Sequence, residues 1–250
     1  MTLLDPGKPP RELLRYQLVP GAAREFRVEQ RLTLFEGDQA RGSVEVQAPL
    51  VVTTANAHGG GYALQIQLGP ASVLREGAAN AIGWGGPGRV AGEEPGRLLA
   101  RVTLTRSGAV EQARIVEQAG SELIPLYETL LELDAPPSQA VGVGARWHTT
   151  RGRPGATQTE TEYEVVHLVP ARATFRVQRQ QIDGTDTAGV RAVGEWTFAR
   201  EAWPPTGHDQ MTTALPESGP AARVSVRFAV TNGSDAAHAH TQTQGSVNGD

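Results

Sequence analysis

Most of this chain alternates between apolar and polar residues, which is the pattern of a strand with one buried face. In residues 24–36, Phe26, Val28, Leu32 and Leu34 fall on one face, and mainly charged residues fall on the other. Similar segments occupy residues 12–18, 43–54, 62–68, 98–104, 110–117, 157–168, 172–182, 190–200, 207–215 and 223–231. The pattern predicts about ten to twelve strands.

One segment has a different period. In residues 122–133, Leu126, Tyr127 and Leu130 follow helical spacing, and the glutamates between them fall on the opposite side. The pattern predicts a single α-helix over about 122–133, with Pro125 at its first helical position. This helix divides the strands into two groups of similar size.

Two runs of strands around one helix predict a mainly β protein. The expected architecture is a large antiparallel sheet curled over the helix, or an incomplete barrel, and the alternative is a β-sandwich. The length of 250 residues is enough for one sizeable core. We expect an extended lead-in over 1–11, one β-rich domain over 12–231, and a disordered polar tail over 232–250.

The strongest local pairing signal joins residues 157–168 to residues 172–182. A three-residue loop between them would place Leu168 opposite Arg172 and, further along, Glu164 opposite Arg176. In this register one face is polar with matched charges and the other is apolar. The sequence therefore predicts a hairpin with one face exposed to solvent.

Composition narrows the classes of function. The net charge of −4 and the pI near 5.9 argue against nucleic-acid binding, which requires a basic surface. The absence of cysteine excludes disulfides, thiolate metal sites and cysteine nucleophiles. No stretch approaches the roughly 18 apolar residues of a membrane-spanning helix, so we expect no transmembrane segment.

The motifs that suggest chemistry are all incomplete. Residues 83–89 are rich in glycine but lack the spacing of a phosphate-binding loop, and a plain loop is the better interpretation. Residues 183–186 lack the later ligands of a calcium loop, and His238 and His240 lie in the predicted tail. No serine-nucleophile motif occurs. We therefore expect a protein that is not an enzyme, with no metal and no cofactor.

The segment 141–147 follows the helix and contains two glycines separated by one residue. Gly142 and Gly144 permit a tight corner or a close backbone approach. Trp147 should then begin a strand with its side chain buried, and Arg146 should point to solvent. We interpret the segment as a structural corner between the helix and the second group of strands.

Several short motifs carry a resemblance to a known group. They are Leu13-Leu14-Arg15-Tyr16 with Pro20-Gly21, Gly96-Arg97, Ser107-Gly108, Pro136-Pro137 and Val141-Gly142-Val143-Gly144-Ala145-Arg146-Trp147. With these the chain resembles uncharacterised β-rich envelope lipoproteins of high-GC Gram-negative bacteria, especially myxobacteria. The resemblance implies an exported β-rich domain without known catalytic residues. It predicts a trimmed mature lipoprotein in the periplasm or outer membrane, and a cytoplasmic location is the alternative.

Two functions fit these expectations. In the first, a cavity between sheet and helix binds a lipid or other hydrophobic molecule, and its ligand-binding residues are Trp84, Tyr127, Leu130, Trp147 and Phe175. In the second, the protein is a structural or interaction module of the envelope with a filled core and a protein partner. The two differ in the volume left between helix and sheet, which alternation alone does not reveal.

Overall fold

A computed structural model describes residues 1–55, 60–77, 96–152, 158–182, 191–214 and 222–233 of the chain. The strands within these ranges are β1 (Thr2–Asp5), β2 (Lys8–Glu12), β3 (Ala23–Glu36), β4 (Gln39–Ala55), β5 (Tyr62–Leu68), β6 (Ser72–Gly77), β7 (Arg97–Leu104), β8 (Val110–Ala119), β9 (Val141–Val143), β10 (Arg146–Arg151), β11 (Gln158–Val169), β12 (Arg172–Ile182), β13 (Arg191–Ala199), β14 (Ala202–Ala214) and β15 (Ala222–Asn232). The helix of this region is α1 (Leu123–Leu131).

Thirteen of these strands form one antiparallel sheet. Their order is β1-β10-β11-β12-β13-β14-β15-β3-β4-β5-β7-β8, and β6 pairs with β4 beside this path. The sheet is open, with β1 and β8 at its ends, and β2 and β9 form a separate two-stranded sheet. The predicted curled antiparallel sheet with one helix is confirmed. The β-sandwich alternative is wrong, because both groups of strands belong to the same sheet.

The two groups of strands are joined by pairing between β15 and β3. The antiparallel register runs from Ala222 opposite Glu36 to Asn232 opposite Phe26. One of the last strands in the chain therefore lies beside one of the first. This contact makes a continuous sheet out of two sequence segments that α1 separates.

Helix α1 packs its apolar side into the core. Leu123, Leu126 and Leu130 are fully buried, whereas Glu128 is exposed, as its spacing predicted. The expectation that Pro125 opens the helix is wrong, because the helix begins at Leu123. Proline is tolerated at the third position, since the first-turn N–H groups have no acceptor within a helix.

Residues 13–18, which we call the bridging segment, were predicted to be part of a strand. The prediction is wrong for these residues, because the strand β2 ends at Glu12. The alternation of apolar and polar residues instead reflects which side chains are buried, and these are Leu14, Tyr16 and Leu18. Tyr16 N donates to Arg106 O at 2.8 Å, and Gln17 N donates to Arg200 O at 2.7 Å. The segment therefore connects the β7–β8 hairpin to the β13–β14 hairpin.

The predicted extended lead-in is paired with the rest of the fold. Leu3 of β1 lies opposite Trp147 of β10, and Lys8 of β2 lies opposite Val143 of β9. Both partners belong to the glycine-containing corner after α1. Strands β1 and β2 at the start of the chain therefore pair with β10 and β9, the two strands that follow α1.

The β11–β12 hairpin keeps most of its predicted register. Glu164 lies opposite Arg176, as predicted, and its carboxylate accepts a hydrogen bond from Arg176 Nη1 at 3.2 Å. The predicted three-residue loop is wrong. A bulge between Val165 and His167 shifts the register, so that Val169 pairs with Arg172 and the turn has two residues. The bulge absorbs the extra residue that the longer loop would have held.

Pro49 occupies an unexpected place inside the long strand β4. Proline has no N–H for a ladder bond, yet Pro49 pairs with Arg27 of β3. On the other side of β4, the pairing with β6 ends at Gln47 and the pairing with β5 begins at Leu50. Pro49 lies at the gap between these two partners, where its missing N–H costs no ladder bond.

Within the described ranges, no helix is both long and apolar enough to cross a bilayer. The predicted tail beyond Gly233, the loop around Trp84, residues 183–186 and the two tail histidines lie outside the described residues.

Candidate functional site

The corner after α1 introduces an aromatic cluster on the inner face of the sheet. Trp147 is 1% exposed and stacks on Tyr163, with ring centroids 5.1 Å apart. Its other contact is the ring of Phe175, edge-on at 5.2 Å. Arg146 points outward and pairs with Glu162. The predicted orientations of Trp147 and Arg146 are confirmed, because alternate residues of β10 face opposite sides.

Four of the five predicted ligand-binding residues lie in the described part of the chain. Tyr127, Leu130, Trp147 and Phe175 are all buried and belong to one apolar core. Of these four, the structure shows direct ring contact between Trp147 and Phe175. Trp84 lies outside the described residues. The four side chains are core residues in this conformation, and their role in binding stays a prediction.

The apolar hollow beside these residues is small. Its volume is about 20 Å³, and it is lined by Leu133, Asp134, Pro136, Tyr163, Phe175, Arg179, Trp196, Phe198 and Pro205. The indole Nε1 of Trp196 is buried without a hydrogen-bond acceptor in the described structure. A space of this size accommodates about one water molecule. Beside these residues the inner face is therefore close to filled.

Asp134 lies just beyond α1 and gathers three donors from the sheet. Its carboxylate accepts from Thr149 Oγ1 at 2.6 Å, from Tyr163 Oη at 2.7 Å and from Arg151 Nε at 2.8 Å. Burial, together with the adjacent Asp134 carboxylate, raises the pKa of Tyr163 well above its ordinary value. This cluster holds the end of the helix segment against β10 and β11.

A buried ion pair crosses the inner face nearby. Arg179 Nη1 of β12 lies 2.6 Å from Asp209 Oδ2 of β14, and both side chains are at most 16% exposed. The strand between them, β13, presents Ala192 and Gly194 there. A Cβ on Gly194 would come within 2.6 Å of the Asp209 Cβ. Small residues on β13 therefore provide the space in which the pair forms.

Larger hollows lie on the outer face. One of about 580 Å³ is lined by the outward-facing residues Leu4, His148, Glu160, Glu162, Gln178, Gln180 and Val193, and it is bordered by the inward-facing residues Thr161, Arg179 and Ala192 that lie between them along the strands. Another of about 470 Å³ is lined by Arg24, Pro170, Ala171, Arg172, Thr197, Ala199, Arg200, Glu201, Ala202, Pro204, Thr206 and Asn232. Both are rich in polar groups, and both are more than ten times the volume of the inner hollow. Space for a partner or ligand therefore lies mainly outside the sheet.

Asp134, Arg179 and Asp209 were not predicted from the sequence. A signal for Arg179 was present, because it shares the inward parity of Phe175 and Val177 on β12. Its partner could not be identified, since Asp209 belongs to a strand that is not adjacent to β12. Within the described ranges, no group of three or more side chains suited to metal ligation occurs.

Comparison with known proteins does not assign the chain to a family. No family model matches the chain, and a search of curated proteins finds no significant relative.

Proposed function

We propose that this chain is a non-enzymatic interaction module with a filled core, which meets a protein partner through the outer face of its large sheet. The observation that carries the proposal is the contrast in volume between the two faces. The hollow beside the aromatic cluster measures about 20 Å³, whereas the outer hollows reach about 580 Å³ and 470 Å³. Partner contact on a grooved polar surface needs no rearrangement of the core.

The core contacts support a scaffold role for the inner face. Leu123, Leu126 and Leu130 of α1 are excluded from solvent, and the Asp134 cluster ties the following residues to the sheet. Admitting a lipid chain would require these contacts to separate. A rigid inner side and an accessible outer side together favour recognition by the outer surface.

The experiment has two arms. Organic extraction of the purified protein followed by mass spectrometry should find no stoichiometric lipid, and a fluorescent fatty acid should not saturate one site. A photo-crosslinking residue at Val193, on the outer face and 60% exposed, should give a discrete protein adduct in the native cells. The same crosslinker at Glu128, on the exposed side of α1, is the control. A bound lipid, or equal adducts from both positions, would contradict the proposal.

Binding of a lipid or other hydrophobic molecule by the inner face is the second candidate. Trp196 Nε1 favours it, because this buried donor has no acceptor among the described residues and lies beside the hollow of aromatic rings, and buried polar atoms normally have a partner. This candidate requires α1 to move away from the sheet. The extraction experiment separates the two functions, since only the second predicts a stoichiometric ligand.

An envelope location is part of the proposal and rests on the sequence resemblance alone. Fractionation of the native cells should recover the protein with periplasmic or outer-membrane markers. Recovery with cytoplasmic markers would contradict the envelope location but not the proposed interaction function.

A further inference from the structure

We infer that the outer hollow at the β11–β12 and β13–β14 turns binds an acidic, extended peptide of the partner protein. We call this hollow, of about 470 Å³, the arginine groove; its polar walls are formed by Arg24, Arg172, Arg200, Thr197 and Thr206. The inference rests on the proposed function and adds to it the place and the chemistry of partner recognition.

The charge of the groove is opposite to that of the whole chain. Three guanidinium groups, those of Arg24, Arg172 and Arg200, line it together with one carboxylate, that of Glu201. Among the lining groups the excess is therefore two positive charges, and it is one when Glu12 beside Arg200 is counted, in a chain whose net charge is −4. A charge excess that opposes the overall sign marks a site for an anionic group.

The three arginines differ in whether they already form an ion pair with a carboxylate. Arg24 lies 3.5 Å from Glu201 in an exposed pair, and Arg200 lies 3.7 Å from Glu12. The first pair is exposed and the second is long, so both are weak and exchange readily for a better acceptor. Arg172 is exposed and has no acidic partner among the described residues. We therefore place Arg172 as the main contact to an incoming carboxylate.

The groove is held by backbone contacts between its turns. Arg200 N donates to Ala171 O at 2.9 Å, and Arg172 pairs with Ala199 across β12 and β13. Alanine and proline residues also line the groove, and their small side chains leave room for a peptide backbone. The backbone positions that carry Arg172 and Arg200 are therefore held beside each other by hydrogen bonds, so binding does not have to order the backbone here.

The shape favours an extended peptide over a single small anion. A neighbouring hollow of about 270 Å³ shares Thr197, Thr206 and Asn232 with the arginine groove and continues toward β15. Threonine hydroxyls both donate and accept, which suits the alternating groups of a peptide backbone. A nucleic acid is disfavoured, because the overall negative charge of the chain would repel its many phosphates.

The test uses labelled hexaglutamate and hexaglutamine peptides and fluorescence anisotropy at low ionic strength. Wild-type protein should bind hexaglutamate and not hexaglutamine. Arg172→Ala should weaken hexaglutamate binding about tenfold, the loss expected for one charge-assisted contact. Arg176→Ala, which alters an exposed arginine of the same strand already paired with Glu164, should change binding less than about twofold. Arg172→Lys, which retains the charge, should give an intermediate loss.

Circular dichroism of each variant establishes that it is folded, and Arg172→Lys serves if the alanine variant is not. Absence of hexaglutamate binding, or equal losses for Arg172→Ala and Arg176→Ala, would overturn the inference. Tighter, Arg172-dependent binding of inorganic polyphosphate would overturn the peptide in favour of a phosphate ligand. The lipid extraction is independent of these readouts. If the protein contains no lipid and does not bind hexaglutamate, the proposed interaction function still stands, and only the assignment of the arginine groove as the peptide site is overturned.

Discussion

At the scale of single residues, the buried ion pair on the inner face depends on the residues around it. Arg179 and Asp209 form an ion pair in a largely apolar environment, and Gly194 leaves the space that the pair occupies. Burial alone would lower the pKa of the Arg179 guanidinium, but the Asp209 carboxylate together with Tyr163, Asp134 and Glu132 more than offsets this, and the pKa lies above its usual value. The pair is therefore a point where one substitution leaves a charge without compensation.

Asp209→Ala should destabilise the protein strongly. The change leaves the Arg179 guanidinium buried without its counter-ion, and a loss of this kind costs about 3–5 kcal/mol. Urea unfolding followed by circular dichroism measures it. Asp38→Ala removes a fully exposed partner of Arg223 and should leave the unfolding midpoint unchanged. Similar midpoints for the two variants would contradict a buried ion pair at Asp209.

Three tyrosines should resist ionisation while the protein is folded. Burial raises the pKa of Tyr16, Tyr127 and Tyr163 above the ordinary value, which is about 10. Raised folded-state pKa values contribute stability that is present below about pH 10 and lost as the pH rises toward the folded-state values. Tyrosinate absorbance should therefore increase together with the loss of circular dichroism.

Tyr163→Phe is the matched variant for this alkaline transition. It removes one buried phenol and its hydrogen bond to Asp134, so it should reduce the tyrosinate amplitude and lower the free energy of unfolding at neutral pH by about 1 kcal/mol. Ionisation of these phenols well before unfolding would show that they are accessible to water.

At the scale of elements, the helix and the turns depend on different forces. An isolated helix as short as α1 is unstable in water, so its persistence here depends on the apolar contacts of its buried side. The β11–β12 turn depends instead on backbone geometry, because Ala171 adopts a φ of 68°. An alanine in this left-handed region carries a steric cost that glycine avoids.

Leu130→Ala should lower the free energy of unfolding by about 2–5 kcal/mol, because Leu130 is fully buried and its truncation leaves a cavity. Glu128→Ala, on the exposed side of the same helix, should change it by less than about 0.5 kcal/mol. Denaturant titration of both variants provides the comparison. A small effect at Leu130 would mean that α1 packs more loosely than its burial indicates.

Ala171→Gly should stabilise the hairpin by up to about 1 kcal/mol, since glycine adopts the left-handed conformation without the Cβ clash. Ala173→Gly should have the opposite sign, because Ala173 is a buried strand residue and glycine there loses packing and backbone entropy. Thermal melting distinguishes them. A destabilised Ala171→Gly would refute the strain at this turn.

At the scale of the whole molecule, contacts between distant parts of the chain hold the two groups of strands together. The β15–β3 ladder joins the end of the described chain to its first long strand. The bridging segment connects hairpins from both groups, and the Tyr16 ring packs on Phe198 at 4.7 Å. Neither group can bury its surface at this junction without the other.

The protein should therefore unfold in one transition. Circular dichroism reports both groups, and tryptophan fluorescence reports mainly the second group, which holds three of the four tryptophans, Trp147, Trp196 and Trp203. The two signals should give coincident melting curves. A chain ending after Ala214 lacks β15 and should fail to fold, because β3 and β14 lose a partner. A chain ending at Gly233, without the predicted disordered tail, is the control and should melt as the full chain does. Two separated transitions would contradict a single cooperative unit.

Local periodicity was enough to predict much of this protein. A repeat of two residues identified the inward side chains of β3, β11 and β12, and a helical repeat identified α1 and its buried leucines. Complementary charges predicted Glu164 opposite Arg176, because cross-strand neighbours in a hairpin are also close in sequence. Each of these features depends on residues separated by short stretches of chain.

Features that join distant segments were decided by the tertiary structure. Alternation indicated burial for Leu14 and Tyr16 but not the absence of a strand there, since a crossing segment and a strand both alternate. The register of β15 on β3 and the Arg179–Asp209 pair depend on which strands become neighbours. The volume inside the sheet depends on how side chains from all of these elements meet, because the same alternating pattern surrounds a cavity or a packed core.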